Sequence, residues 1–77
     1  MNNKDWKDLH SGDSGAALVN LLVDEVELMM RAMDNAIGYP NVYPANYWAE
    51  EEKHHAERVA WLRETLYKKF EREPGKG

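Results

Sequence analysis

Residues 50–57, Glu-Glu-Glu-Lys-His-His-Ala-Glu, lie within the second of two long helical patterns in this chain. Side chains three residues apart share one face of a helix, so the stretch holds two Glu-x-x-His pairs, Glu51 with His54 and Glu52 with His55. At about 100° per residue, Glu52 and His55 point to a broad apolar side and the other pair points away. We therefore expect Glu52 and His55 to face the core, although a small error in register would exchange the two pairs.

The second helical pattern extends over about residues 45–72 and ends before a Glu-Pro-Gly stop signal. The opposite, charged side carries Glu57, Arg58 and Lys68, which we expect to face water. Arg63 falls among the apolar positions. The apolar side as a whole comprises Trp48, Ala49, Ala56, Val59, Ala60, Leu62, Leu66, Tyr67 and Phe70.

The first helical pattern covers about residues 16–37 and has two adjacent apolar stripes. Together the stripes cover more than half of the helix, which is wider than one neighbouring helix can bury. We therefore predict a helix packed against several others. One stripe comprises Leu18, Leu21, Leu22, Met29, Ala32 and Ala36, and the other comprises Val19, Val23, Val26, Met30, Met33 and Ile37.

The ends of the first helix have their own signals. Asp13 or Ser14 is a good N-cap, and Gly38 suits a left-handed C-cap. Residues 38–44 then contain two Tyr-Pro steps, which favour extended backbone, and their length suits an antiparallel connection. Before this helix, residues 1–15 form a polar segment in which Asp5 is a candidate cap for a short helical turn.

The predicted fold class is all-α. Two antiparallel helices cannot enclose a core by themselves, so we expect a two-helix hairpin that dimerises into a four-helix bundle. The 77 residues make one domain. We divide them into an N-terminal polar segment over 1–15, a helical hairpin domain over 16–73 and a flexible tail over 74–77.

Composition narrows the class of protein. There is no cysteine, which excludes disulfides and cysteine-based zinc sites. The formal net charge is −4 and the sequence has no basic block, which disfavours binding to nucleic acid. The apolar runs are too short to span a membrane, and the N-terminus lacks the apolar core of a signal peptide. We expect a soluble cytoplasmic protein that needs a partner subunit, a metal ion or both.

Glu25 is the second unusual carboxylate, because its helical phase places it inside the apolar arc of the first helix. Burying a charge is costly unless the group is paired or bound to a metal. A buried ion pair between Glu25 and Arg63 is one explanation, with His55 as a neutral core histidine. The other is a metal site formed by Glu25, Glu52 and His55, since a symmetric dimer would supply the ligand set of di-iron and di-manganese bundles.

The run Glu51-Glu52-Lys53-His54-His55-Ala56, followed by Trp61-Leu62-Arg63, resembles the second helix of the encapsulated ferritins. That resemblance implies two-helix hairpins that pair into a ferritin-like four-helix bundle and assemble further into rings. It also implies a di-iron ferroxidase centre between subunits, with Glu25, Glu52 and His55 as the ligands. The spacing from the histidines to Trp61 leaves open whether His54 takes the place of His55.

Two functions follow as hypotheses. The first is a ferroxidase that oxidises Fe(II) with dioxygen or peroxide at a di-iron site, with manganese as the alternative metal. The second is a non-catalytic oligomeric interaction protein that inhibits a protein partner or sequesters a small nucleotide. In the nucleotide variant, Tyr39, Tyr43 or Trp48 would stack on the base and Arg58 or Arg63 would hold the phosphate.

Overall fold

All regular secondary structure in the described part of the chain is helical, which confirms the predicted class. The computed structural model describes residues 2–39, 41 and 46–71. It contains a short helix, α1 (Asn3–His10), and two long ones, α2 (Gly15–Gly38) and α3 (Tyr47–Glu71). None of these three described helices combines the length and the apolar character needed to span a membrane.

Helix α1 forms within the segment that the sequence suggested only as polar with a short turn. Its N-cap is Asn2, not Asp5, because the Asn2 side chain accepts a hydrogen bond from the backbone N–H of Asp5 at 2.8 Å. At the other end, His10 Nδ1 lies 2.7 Å from Asp13 Oδ2, which ties the end of α1 to the link before α2. Trp6, the one buried residue of α1, attaches the helix to the rest of the molecule.

The ends of the long helices match the predicted bounds closely, with one error. Ser14 is the N-cap of α2, and its hydroxyl accepts a hydrogen bond from the Ala17 N–H at 3.2 Å. Gly38 is the last helical residue and not a left-handed cap, because the Tyr39 N–H still bonds to the Asn35 carbonyl at 2.8 Å. Most of the predicted connection, Pro40 and residues 42–45, and the predicted stop after Glu71 lie outside the described residues.

The core lies between α2 and α3 and extends to α1. Leu18 and Leu62 are fully buried, and Trp6 and Leu66 complete the cluster. Gly15, at the start of α2, lies beside the side chain of Lys69, near the end of α3. Leu21, Leu22 and Trp61 pack against the core while remaining partly exposed.

Only one of the two apolar stripes of α2 is buried in a single chain. The stripe that includes Leu18 and Ala32 faces α3, whereas the second stripe remains exposed to solvent. None of the described helices packs against the second stripe, since α1 contacts α3 from the other side. Exposed fractions in the second stripe are 41% for Val19, 52% for Val23, 57% for Met30, 42% for Met33 and 81% for Ile37.

Candidate functional site

Glu25 is the buried charged residue at the centre of the α2–α3 contact, and its side chain has two partners. It is 5% exposed. One carboxylate oxygen, Oε1, lies 2.5 Å from His55 Nδ1, and the other, Oε2, lies 3.3 Å from a terminal nitrogen of Arg58. The predicted burial of Glu25 is therefore confirmed, and of the two histidines it is His55 that reaches it. Both oxygens of the carboxylate are engaged within one chain.

Arg58 was expected to face water from its helical phase, and that prediction is wrong. Its guanidinium donates to the Asn3 side-chain oxygen through Nε at 2.8 Å and lies 4.6 Å from the centre of the Trp6 ring. Arg58 therefore packs between Glu25 and α1. The alternative partner for Glu25, Arg63, is exposed on another side of α3, so the suggested Glu25–Arg63 pair is also wrong.

Asn3 connects α1 to α3 through polar contacts. Its amide nitrogen donates to the His54 carbonyl at 3.2 Å and to a Glu57 carboxylate oxygen at 2.9 Å, while its oxygen accepts from Arg58. The hydrogen bond that Asn3 donates to the Glu57 carboxylate, together with the positive charge of Lys7, lowers the pKa of Glu57. Sequence reasoning missed Asn3, because its role depends on α1 docking against α3.

His54 does not face open water as predicted, because α1 covers part of that side of α3. Its side chain is partly buried, and its ring meets the His55 ring edge-on at 5.2 Å between centroids. Desolvation, followed by the positive charge of Arg58, lowers the pKa of His54. His54 therefore belongs to the polar cluster beneath α1, which we define as Asn3, Glu25, His54, His55 and Arg58.

The three predicted metal ligands do not come together as one group. Glu25 and His55 contact each other directly, at a distance typical of a hydrogen bond. A metal at about 2.0–2.2 Å from both atoms would hold them farther apart. Arg58 also places a positive charge against the second oxygen of Glu25. Among the described residues, no group of three or more His, Asp or Glu side chains is arranged to hold a metal ion.

This arrangement in one chain fits an internal ion pair better than a metal centre. Glu52 contributes no hydrogen bond or ion pair within the described part of the chain, although it is partly buried. Glu51 approaches the cluster instead, with its Oε1 3.8 Å from His55 Nε2. Iron or manganese binding by Glu25, Glu52 and His55 stays a prediction.

The side of α3 opposite to α1 carries a different kind of surface. Helical phase places Arg63, Tyr67 and Phe70 about 180° around α3 from the residues that contact α1. Their side chains line an open groove of about 250 Å³ together with Leu22 and Leu66. Leu22 lies next to the exposed stripe of α2, so the groove and the stripe form one surface. We call this surface the bare face.

The residues suggested for nucleotide binding are dispersed. Arg58 is engaged in the polar cluster, and Arg63 lies in the groove of the bare face. Tyr39 is exposed at the end of α2, whereas Trp48 is partly buried and packs edge-on against Tyr47. Tyr43 lies outside the described residues. The described residues therefore do not assemble the suggested base-and-phosphate pocket.

Comparisons of this chain with protein-family models, with curated proteins and with solved structures find no match.

Proposed function

We propose that this chain is a non-catalytic helical interaction protein whose working unit is a homodimer. In this proposal α2 and α3 form an antiparallel hairpin, and two hairpins pair through their bare faces into a four-helix bundle. The observation that carries the proposal is the exposed valine and methionine stripe of α2. Large contiguous apolar surfaces on small domains are typical of protein–protein interfaces.

The dimensions of the bare face support pairing with a surface of similar size. Helix α2 has 24 residues, which corresponds to a length of about 36 Å. A face of that length and two helices wide, about 20 Å, is close to the roughly 800 Å² that each partner buries in a standard stable interface. Burial of apolar area at about 25 cal/mol per Å² would then supply the driving force.

The polar cluster supports a structural role for the charged residues beneath α1. Glu25 is neutralised by Arg58 and hydrogen-bonded to His55, and Asn3 and Trp6 cover the other side of Arg58. In our proposal these charges, which satisfy one another, fix the register of α2 against α3, as buried polar groups do in some helical assemblies. The chemistry of the cluster is thus directed at holding the three helices together.

The test is the molar mass of the protein in solution as a function of concentration, measured by sedimentation. Wild type is expected to be a dimer at micromolar concentration. Val23→Asp and Met30→Asp are each expected to shift the protein to monomer, because a charge would be buried in the interface. Leu28→Asp is the matched control, since Leu28 is also partly exposed on α2 but lies off the stripe. A monomeric wild type would refute the proposal.

Oxidation of Fe(II) at a di-iron centre is the second candidate. The observation in its favour is that α2 and α3 bring together Glu25 and His55, two of the three predicted ligands. It would require Arg58 to leave Glu25 and both Glu52 side chains of a dimer to approach that pair. Stoichiometric Fe(II) binding, with oxidation of the bound Fe(II) by added dioxygen, would establish it if both are lost in Glu52→Ala and His55→Ala but kept in Glu64→Ala. Iron binding that is unaffected by these substitutions would exclude it.

A further inference from the structure

Glu52 and Arg63 lie on the same side of α3, separated by eleven residues, which is about three helical turns. Arg63 lines the groove of the bare face. Helical phase places Glu52 in line with Arg63 and Phe70, so we extend the bare face to include Glu52. Neither side chain has an ion-pair partner within the described residues. Ala56 and Val59, small enough for another helix to approach closely, lie between them.

Two opposite charges placed symmetrically on one helix are complementary to the same helix in antiparallel orientation. Across a two-fold axis perpendicular to α3, midway between Glu52 and Arg63, each glutamate faces an arginine of the other copy. The same axis brings Ala56 opposite Val59. An isologous interface repeats each contact, so one such pair in the sequence gives two ion pairs in the dimer.

The register of α2 provides an independent check on the position of this axis. The exposed stripe from Val19 to Ile37 is centred near residue 28, about one helical turn from Glu25. Glu25 contacts His55 and Arg58, which flank the midpoint between Glu52 and Arg63. The midpoints of the two patterns therefore lie within about one helical turn of each other, so one two-fold axis passes close to both.

From this coincidence we propose that a second copy of the chain binds the bare face with α2 antiparallel to α2 and α3 antiparallel to α3. Glu52 then pairs with the partner's Arg63, and Arg63 with the partner's Glu52. This inference rests on the proposed self-association and specifies its register. It assigns Glu52 to recognition of the partner subunit and leaves the polar cluster outside the interface.

Charge reversal tests the register, because the pairs are reciprocal. The Glu52→Arg chain would place arginine against arginine twice, and the Arg63→Glu chain glutamate against glutamate twice. Each substitution is expected to raise the dissociation constant of the homodimer by about 30-fold. Sedimentation measures this constant with a metal chelator present. An equimolar mixture of the two chains is expected to form a heterodimer with near wild-type affinity, as is the homodimer of the doubly exchanged chain.

Glu64→Arg and Lys53→Glu are the matched controls, since both residues are exposed on α3 away from the bare face. They are expected to leave the dimer affinity unchanged, and circular dichroism checks that every variant keeps its helical content. Single reversals that dimerise like wild type would overturn the proposed register while leaving self-association intact. So would single reversals whose mixture stays monomeric. A wild type that is monomeric throughout would overturn both proposals.

Discussion

The two sides of α3 differ in how their charged residues are satisfied. On the side beneath α1, Arg58 contacts Glu25, Asn3 and Trp6, so one chain supplies all of its partners. On the bare face, Arg63 lies among apolar groove residues, and its proposed partner belongs to a second copy. The same residue type thus serves folding on one side of the helix and, in our proposal, association on the other.

Because of this difference, substitutions on the two sides of α3 are expected to change different measured quantities. Substitutions beneath α1 are expected to change the free energy of unfolding, measured at one fixed protein concentration so that association contributes equally. Substitutions on the bare face are expected to change the dissociation constant first. Substitutions on the side of α3 beneath α1, which we call the covered side, therefore test whether its residues act within one chain.

The largest effect is expected for Glu25→Ala. It leaves the partly buried Arg58 without its counter-charge and the partly buried His55 without its hydrogen-bond partner, and loss of one member of a buried pair costs about 3 kcal/mol. Urea unfolding followed by circular dichroism measures the change. Glu27→Ala, an exposed glutamate on the same helix, is the control and is expected to cost no more than about 0.5 kcal/mol. Equal costs for both variants would show that the cluster is not a stabilising unit.

Trp6→Ala is expected to lower the free energy of unfolding by about 2 kcal/mol, because α1 loses its one buried side chain and its edge-on contact with Trp61. The loss should be local. Amide hydrogen exchange should accelerate throughout α1 while α2 and α3 stay protected. Leu9→Ala is the control, since Leu9 is exposed on the same helix. Loss of protection in all three helices would mean that α1 is integral to the core.

The local sequence pattern was sufficient to predict the two long helices and the unusual burial of Glu25. The apolar periodicity of residues 16–37 and 45–72 predicted α2 and α3 to within two residues at the ends that the structure describes. Burial of Glu25 followed from phase alone. Its closeness to His55 was expected only as part of a metal site, whereas the structure shows a direct contact between the two side chains. The error at Gly38 arose because a glycine near a helix end was read as a cap, whereas the helical bonding continues through Tyr39.

Contacts that depend on a third element were not predictable from helical phase. Arg58 lies on the shoulder of α3, and its long side chain reaches inward to Glu25 because α1 covers it from outside. The Asn2 cap and Trp6, a lone large apolar residue in a polar segment, were the available signals for α1. The symmetry of Glu52 and Arg63 acquires meaning only once the structure shows which side of α3 is bare.

A smaller effect is expected for Asn3→Ala, which removes the hydrogen bonds to the His54 carbonyl, Glu57 and Arg58. Since each net contribution is modest and water replaces part of it at this edge, the cost should be about 1 kcal/mol. Asn20→Ala, the same change at an exposed position of α2, is the control. If both variants unfold at the same urea concentration, Asn3 is not an anchor of α1.

The effect of pH on the covered side follows from the lowered pKa values of His54 and Glu57. A group whose pKa is lower in the folded chain stabilises the fold above its ordinary pKa, and that contribution is lost as the pH falls. Stability should therefore decline below about pH 6.5, the ordinary value for His54, as the unfolded chain takes up a proton that the folded chain resists. A further decline should follow below about pH 4.5 through Glu57.

The two steps are separable by substitution. His54→Asn should flatten the decline in unfolding temperature between pH 7.5 and 5.5, and Glu57→Gln should flatten only the more acidic part. Because both residues face α1, hydrogen exchange in α1 should follow the same two steps, whereas the dissociation constant of the dimer should not. A dimer that dissociates with the His54 step would mean that the covered side also takes part in association, and the separation between the two sides of α3 would be wrong.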